Sequence, residues 1–209
     1  MNSAQEIVQL PSMHSGDDWN ALTYIYEDYI NLAVSRQVIQ PSTALQRATD
    51  ALLQQVHTPA LRISGTAAEC RDSVLQAFPD STSIIALADT VYLLADAFST
   101  LFDLQRVGLR LDRPDKAMCP RFHVDRVPAR MITTLSGVGT EWLTESAVDR
   151  SAPGRNLHRP GSETQQLNTL EVALMKGEEW QGNERRGLVH RSPDLNTGEK
   201  RLVLTLDFA

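Results

Sequence analysis

The apolar residues of this chain change their spacing near Gln105, and that change constrains the fold more than any other feature. Before it, Leu45, Ala48, Leu52, Leu53 and Val56 follow Pro41-Ser42-Thr43, and Ile84, Leu87, Ala88, Val91, Leu94, Ala95, Phe98, Leu101 and Phe102 follow Asp80-Ser81-Thr82-Ser83. Spacing of three and four gathers one apolar stripe on a helix, and Ser, Thr and Asp supply acceptors for the free amides at its start. A shorter helix is expected over 67–78. After Gln105, the segments 107–111, 122–127, 130–135, 170–175 and 201–208 are short, often alternating, and separated by Pro, Gly and polar loops. That predicts antiparallel β-structure.

No internal repeat or linker divides the 209 residues, 42% of them hydrophobic. The expectation is one α+β domain over 1–209, with a mainly helical part over 1–105 packed on a β part over 106–209. A net charge of -6 argues against a sequence-independent grip on nucleic acid. The start of the chain lacks a basic segment followed by an apolar core, and no stretch reads as long and uncharged enough to cross a bilayer, so a cytoplasmic protein is expected. Cys70 and Cys119 form no CxxC pair and imply no disulfide framework.

Within the long helical pattern, Asp89, Asp96 and Asp103 recur two turns apart. Two turns rise about 10.5 Å, too far for neighbours to share an ion, so they read as a solvated stripe. The polar stretch 144–166 contains Pro153, Gly154, Pro160 and Gly161 and is long enough to serve as a lid. His14, His57 and His158 are explained by solvated positions.

The residues that carry chemistry lie in the β part. In an extended strand, side chains two apart share a face, so His123 and Asp125 can aim at one point. If His190 joins from a neighbouring strand, two imidazoles and one carboxylate leave coordination positions open and suit non-haem Fe(II). By itself His-x-Asp also fits a solvated strand edge. Further on, Leu202, Leu204, Leu206 and Phe208 share one strand face, while Arg201, Val203, Thr205 and Asp207 share the other. The leucine face suits packing on helices, and the opposite face suits a cavity wall.

At the end of that wall, Arg201 could bind a dicarboxylate co-substrate through its planar fork, or simply form a rim salt bridge. Thr134 shares a face with Arg130 and Ile132; if that face is inner, its hydroxyl suits the co-substrate, and it reads equally well as the outer one. Gly137-Val138-Gly139 lacks the helix and Lys-Ser/Thr pair of a phosphate loop and reads as a structural turn. Arg130, Glu141, Trp142, Arg150 and Arg191 are candidates for a substrate pocket, with packing (Trp142) and solvated surface as the other readings.

The order His-x-Asp, distal His, then Gly-x-x-Arg leading into an alternating strand resembles the iron- and 2-oxoglutarate-dependent oxygenases over about residues 119–208. The resemblance implies a double-stranded β-helix (jelly roll, cupin-like), Fe(II) held by His123, Asp125 and His190, and Arg201 on the distal carboxylate of 2-oxoglutarate. A more specific resemblance rests on Cys119-Pro120-Arg121-Phe122-His123-Val124-Asp125, Arg130, Thr133-Thr134, Gly137 to Leu143 and His190-Arg191-Ser192-Pro193. These residues are similar to the bacterial family called domain of unknown function 1826. That resemblance implies no reaction, but it permits a role in zinc homeostasis and a link to a metal-chaperone GTPase. Two further readings are therefore carried: a Zn(II)-binding protein without turnover, with Cys119 as fourth ligand to His123, Asp125 and His190, and a jelly roll that serves only as an interaction module.

Overall fold

The computed structural model describes residues 12–54, 61–78, 83–151 and 157–209. Helix α1 (Asn20–Thr23) is a single turn, followed by α2 (Thr43–Gln54), α3 (Ala67–Ala77) and α4 (Ile84–Leu101). Strands β1 (Ser12–Gly16), β2 (Ile30–Ser35), β3 (Leu61–Gly65), β4 (Val107–Asp112), β5 (Ala129–Ser136), β8 (Val172–Lys176) and β10 (Leu202–Phe208) form a seven-stranded sheet in the order β1-β2-β8-β5-β10-β4-β3. Among the described strands of this sheet only the β1–β2 pair is parallel. Strands β6 (Glu141–Trp142), β7 (Gln165–Gln166) and β9 (His190–Arg191) form a smaller sheet in the order β7-β6-β9.

Local chemistry accounts for the helix ends. The Ser42 Oγ accepts from the Leu45 amide near the start of α2, and Thr66 and Glu69 form a reciprocal capping box at the start of α3. Of the expected cap residues before α4, Asp80, Ser81 and Thr82 lie outside the described residues, as does Val56 of the α2 pattern, while Ser83 makes no side-chain cap bond. Asp89, Asp96 and Asp103 are exposed, and Asp89 accepts from Arg71 at 2.7 Å.

The two faces of the large sheet pack differently. Leu202, Leu204 and Leu206 of β10, with Met131, Leu135, Val172 and Leu174, join Leu45, Leu52, Val74, Leu87, Val91, Leu94 and Phe98 of the helices in the main core. On the other face, Val203, Ile132, Ala173 and Met175 pack with Leu32, Val34, Trp142, Leu167 and Leu188. The division of β10 follows the strand's period of two, with Arg201, Val203, Thr205 and Asp207 turned from the helices.

Three features correct the reading of the sequence. The first 105 residues contribute β1, β2 and β3 to the sheet as well as helices. The segment 122–127 forms no strand, and its one β-bridge among the described residues joins His123 to His190. Helix α4 is long and apolar enough, by length and composition, to cross a bilayer. Its Ile84, Leu87, Ala88, Val91, Leu94, Ala95 and Phe98 are buried in the main core with helices α2 and α3 and the sheet, while Ile85, Tyr92 and Leu93 are exposed.

Cys70, fully buried in α3, has its thiol pushed up to about 11, chiefly by burial and then by the charge of Glu69. An unfolded thiol ionises near 8.5, so the unfolded state gives up this proton first and Cys70 costs stability as pH rises from about 8.5 towards 11. Buried Lys176, lowered to about 8 by burial, has the opposite sign, since the unfolded chain binds the proton more tightly. The Cys70 contribution is therefore expected as a difference: in urea unfolding at pH 8 and pH 10.5, Cys70→Ala loses less stability than the wild type over that interval.

Candidate metal centre

The centre begins with a backbone interaction. His123 and His190 exchange both amide-to-carbonyl hydrogen bonds, each 3.0 Å, so they oppose one another directly as an antiparallel pair. Side chains of such a pair emerge on one side, and the two imidazole centroids lie 4.6 Å apart. His190 pairs on its other side with Trp142, which ties the imidazoles to the small sheet.

The ring nitrogens are assigned by their partners. His123 Nδ1 lies 2.9 Å from the Arg121 carbonyl oxygen, and His190 Nδ1 lies 3.1 Å from that of Leu188. Carbonyl oxygens only accept, so each Nδ1 donates and each Nε2 turns its lone pair inward when the ring is neutral. The two Nε2 atoms lie 3.6 Å and 3.3 Å from the Asp125 carboxylate oxygens. His123, Asp125 and His190 are the one group among the described residues that could hold a metal ion, with ligand atoms all within 4.8 Å of one another. Inward lone pairs and a carboxylate need a proton or a cation between them.

The electrostatics agree. Burial opposes ionisation of Asp125, but the neighbouring imidazoles of His123 and His190 and the charge of Arg130 hold its carboxyl well below the usual range. The bond to Asp125 raises the His123 imidazole against the effect of its burial. Arg130 Nη1 donates to Asp125 at 2.7 Å, while its Nε and Nη2 donate to Asp207 at 2.7 and 3.0 Å.

A cavity of about 130 Å³ opens beside the cluster, lined in part by His123, His190, Arg130, Thr140 and Arg201. Arg201 is 2% exposed, and one Nη2 donates to the hydroxyls of Thr134 and Thr140 at 2.9 and 3.0 Å. Its Nε is buried without a hydrogen-bond partner. No carboxylate among the described residues pairs with it, and burial lowers the guanidinium to about 10, against a weak pull from Glu141. The face of β5 carrying Arg130, Ile132 and Thr134 is the inner one, since Ile132 and Arg130 line the cavity and Thr134 meets Arg201.

Other candidates fall elsewhere. Cys119 lines the same cavity but is exposed and stands outside the metal cluster, so the four-ligand zinc shell lacks its thiol. Glu141 and Arg191 are paired at 2.5 Å, with Arg191 also over the Phe122 ring and on the cavity wall. Trp142 is packed in the second core and borders a separate cavity of about 310 Å³. Arg150 is committed to Glu145 and to the carbonyls of Arg186 and Gly187. In the stretch 144–166, where a lid was expected, Ala147 and Val148 are buried with Phe122, Leu143 and Val189, Arg159, Pro160 and Gly161 are exposed, and Pro153 and Gly154 lie outside the described residues.

The Gly137–Gly139 turn is structural. Gly137 has φ +86, and a Cβ there would lie 2.6 Å from the Lys200 carbonyl oxygen, next to Arg201. At Gly139 the clash would be with the Leu167 carbonyl oxygen at 1.7 Å. Two residues of the site were missed as such. Asp207 shares the strand face of Arg201, a signal the alternation carried, whereas Thr140 sits in a loop and had none.

Residues 16–207 match the model of a family described as "protein of unknown function (DUF1826)". No curated protein matches the sequence. Among solved structures, the chain is similar to the dioxygenase for auxin oxidation from rice, with a TM-score of 0.52 at 14% identity over 95% of this chain and 82% of that one. It is also similar to JOX2 in complex with 2OG, Fe and JA, with a TM-score of 0.53 at 10% identity over 95% of this chain and 75% of that one. At such identities the likeness is one of fold.

A metal titration checks the cluster directly. His123→Ala and His190→Ala are each expected to lose Co(II) binding by isothermal calorimetry while keeping the wild-type circular dichroism. In the wild type, affinity is expected to fall with decreasing pH, beginning above the ordinary imidazole value of about 6.5, because a proton on the raised His123 occupies the metal's lone pair.

Proposed function

This chain belongs to the DUF1826 family, and from the cavity it builds we propose that it is a non-haem Fe(II)- and 2-oxoglutarate-dependent oxygenase on a double-stranded β-helix. The observation that carries the reading is the pairing, in one cavity, of a His-Asp-His cluster with a buried arginine that no carboxylate among the described residues pairs with. A buried guanidinium without a counter-charge is costly, of the order of several kcal/mol, unless a ligand supplies the anion. Its unpartnered Nε and the ligand-sized space beside it fit a carboxylate.

The donor set fits the metal as well. Two neutral imidazoles and one carboxylate are borderline-to-hard ligands, and three protein ligands leave positions open for a chelating co-substrate and for oxygen. His123, Asp125 and His190 would hold Fe(II), and Arg201 would take the distal carboxylate of 2-oxoglutarate. When bound, iron and 2-oxoglutarate supply oxygen activation coupled to oxidative decarboxylation, chemistry that no side chain here provides.

The chain's own residues do the rest. Thr134 and Thr140 accept from Nη2 of Arg201 and so fix the plane of its guanidinium, leaving the Nε donor without a partner for a ligand to meet. Ile132 and Val203 give the cavity apolar walls, which limit water and strengthen the ion pair. The carbonyls of Arg121 and Leu188 keep both Nδ1 protons in place, so that each Nε2 presents a lone pair. The JOX2 complex, which holds 2OG and Fe on a similar fold, supports the reading.

The test is anaerobic titration of the purified protein with Fe(II) and 2-oxoglutarate, followed by the visible charge-transfer absorption of the chelate. The wild type is expected to develop the band. Arg201→Met is expected to need at least ten-fold more 2-oxoglutarate while binding Co(II) as the wild type does. Metal binding without any band at millimolar 2-oxoglutarate would refute the proposal.

A further inference from the structure

Asp125 is the member of the cluster that no strand pairing fixes. His123 and His190 are locked by their reciprocal backbone bonds, whereas Asp125 lies in irregular backbone whose carbonyl accepts from the Glu178 amide at 3.0 Å. Its side chain needs another anchor if one carboxylate edge is to keep facing both imidazoles.

We infer that Arg130 is a positioning residue of the metal centre: its guanidinium fixes the Asp125 carboxylate, and Asp207 is the counter-charge that holds the guanidinium in place. The inference rests on the metal-binding reading above. Arg130 projects from β5 and Asp207 from the adjacent strand β10, so both sit on rigid, paired elements. The Arg130 fork grips both oxygens of Asp207, at 2.7 and 3.0 Å, and its remaining Nη1 reaches Asp125 Oδ2 at 2.7 Å. The three side chains are only 17%, 10% and 15% exposed for Arg130, Asp207 and Asp125, so these are shielded, charge-assisted bonds.

The charge balance supports a built device. One guanidinium between two carboxylates leaves an excess negative charge, and Arg110 of β4, 3.6 Å from Asp207, supplies the second positive charge. Arg110 is half-exposed, so solvent weakens its pull on Asp207 more than it weakens that of the shielded Arg130. A side chain so engaged is a poor substrate binder, which corrects the expectation from sequence. Arg130 and Arg201, both on the cavity wall, thus differ in kind: Arg130 has two carboxylates, and Arg201 has none among the described residues. Groups that orient a metal ligand typically change metal affinity 10–100-fold when lost.

Co(II) titration of the full chain without co-substrate tests this, since the cobalt visible spectrum reports the ligand set. Arg130→Met alone would strand buried Asp207, so it is paired with Asp207→Asn, and Arg130→Lys serves as the conservative variant that keeps the charge. The double variant is expected to bind Co(II) 10–100-fold more weakly than wild type with an altered visible spectrum. Arg130→Lys is expected to lie between them, because an ammonium reaches one carboxylate but cannot fork onto the second. Wild-type affinity and spectrum in either variant, with its fold verified by circular dichroism, would overturn the role of Arg130 while leaving the metal centre standing. A wild type that binds no Co(II) would overturn both.

Discussion

The reciprocal hydrogen bonds between His123 and His190 are the constraint on which the site depends. They join two segments far apart in sequence, and an antiparallel pair of this kind projects both side chains to one side without help from neighbours. A further bond joins the same two segments, the Ser192 amide donating to the Cys119 carbonyl at 3.0 Å. On its other side His190 pairs with Trp142, which packs between the two sheets. The centre is thereby mounted on backbone pairing, and side-chain contacts need only refine it.

Charge placement does the refining. Around Asp125, positive and negative groups are balanced within the protein, and the resulting network of Arg130, Asp207 and Arg110 is self-contained. Around Arg201, hydroxyls take the place of carboxylates, and one donor is left unmatched. A closed network positions a ligand atom, whereas an open one calls for an anion from outside. The contrast between the two arginines lies at the centre of the functional reading, because composition and pattern treat them alike.

Much of the fold was legible because its strongest elements obey simple periods. Helices α2, α3 and α4 follow their apolar stripes, and β10 divides its residues between helices and cavity as its alternation requires. The strands that escaped notice have physical reasons for doing so. Edge strands β1 and β3 carry mixed, partly exposed residues, and β2 is buried throughout and shows no alternation. The run after Phe122 looked like a strand because it mixes apolar and polar residues, but of its residues only His123 forms a β-bridge. The polar stretch 144–166 looked like a lid because Pro and Gly interrupt it, yet its described residues bury Ala147 and Val148.

By itself, the sequence determined the ligand types and their local spacing: a histidine and a carboxylate two residues apart, a distant histidine, and an arginine at the head of an alternating strand. Those follow from residue chemistry and from the period of two, which act over a few positions. The tertiary structure alone decided which charge meets which. Only after β5, β10 and the small sheet come together do Arg130 find two carboxylates, Arg201 two threonines, and Cys119 a place at the rim outside the cluster. Ion pairing depends on separations of a few ångströms between residues far apart in the chain, and folding alone sets those separations.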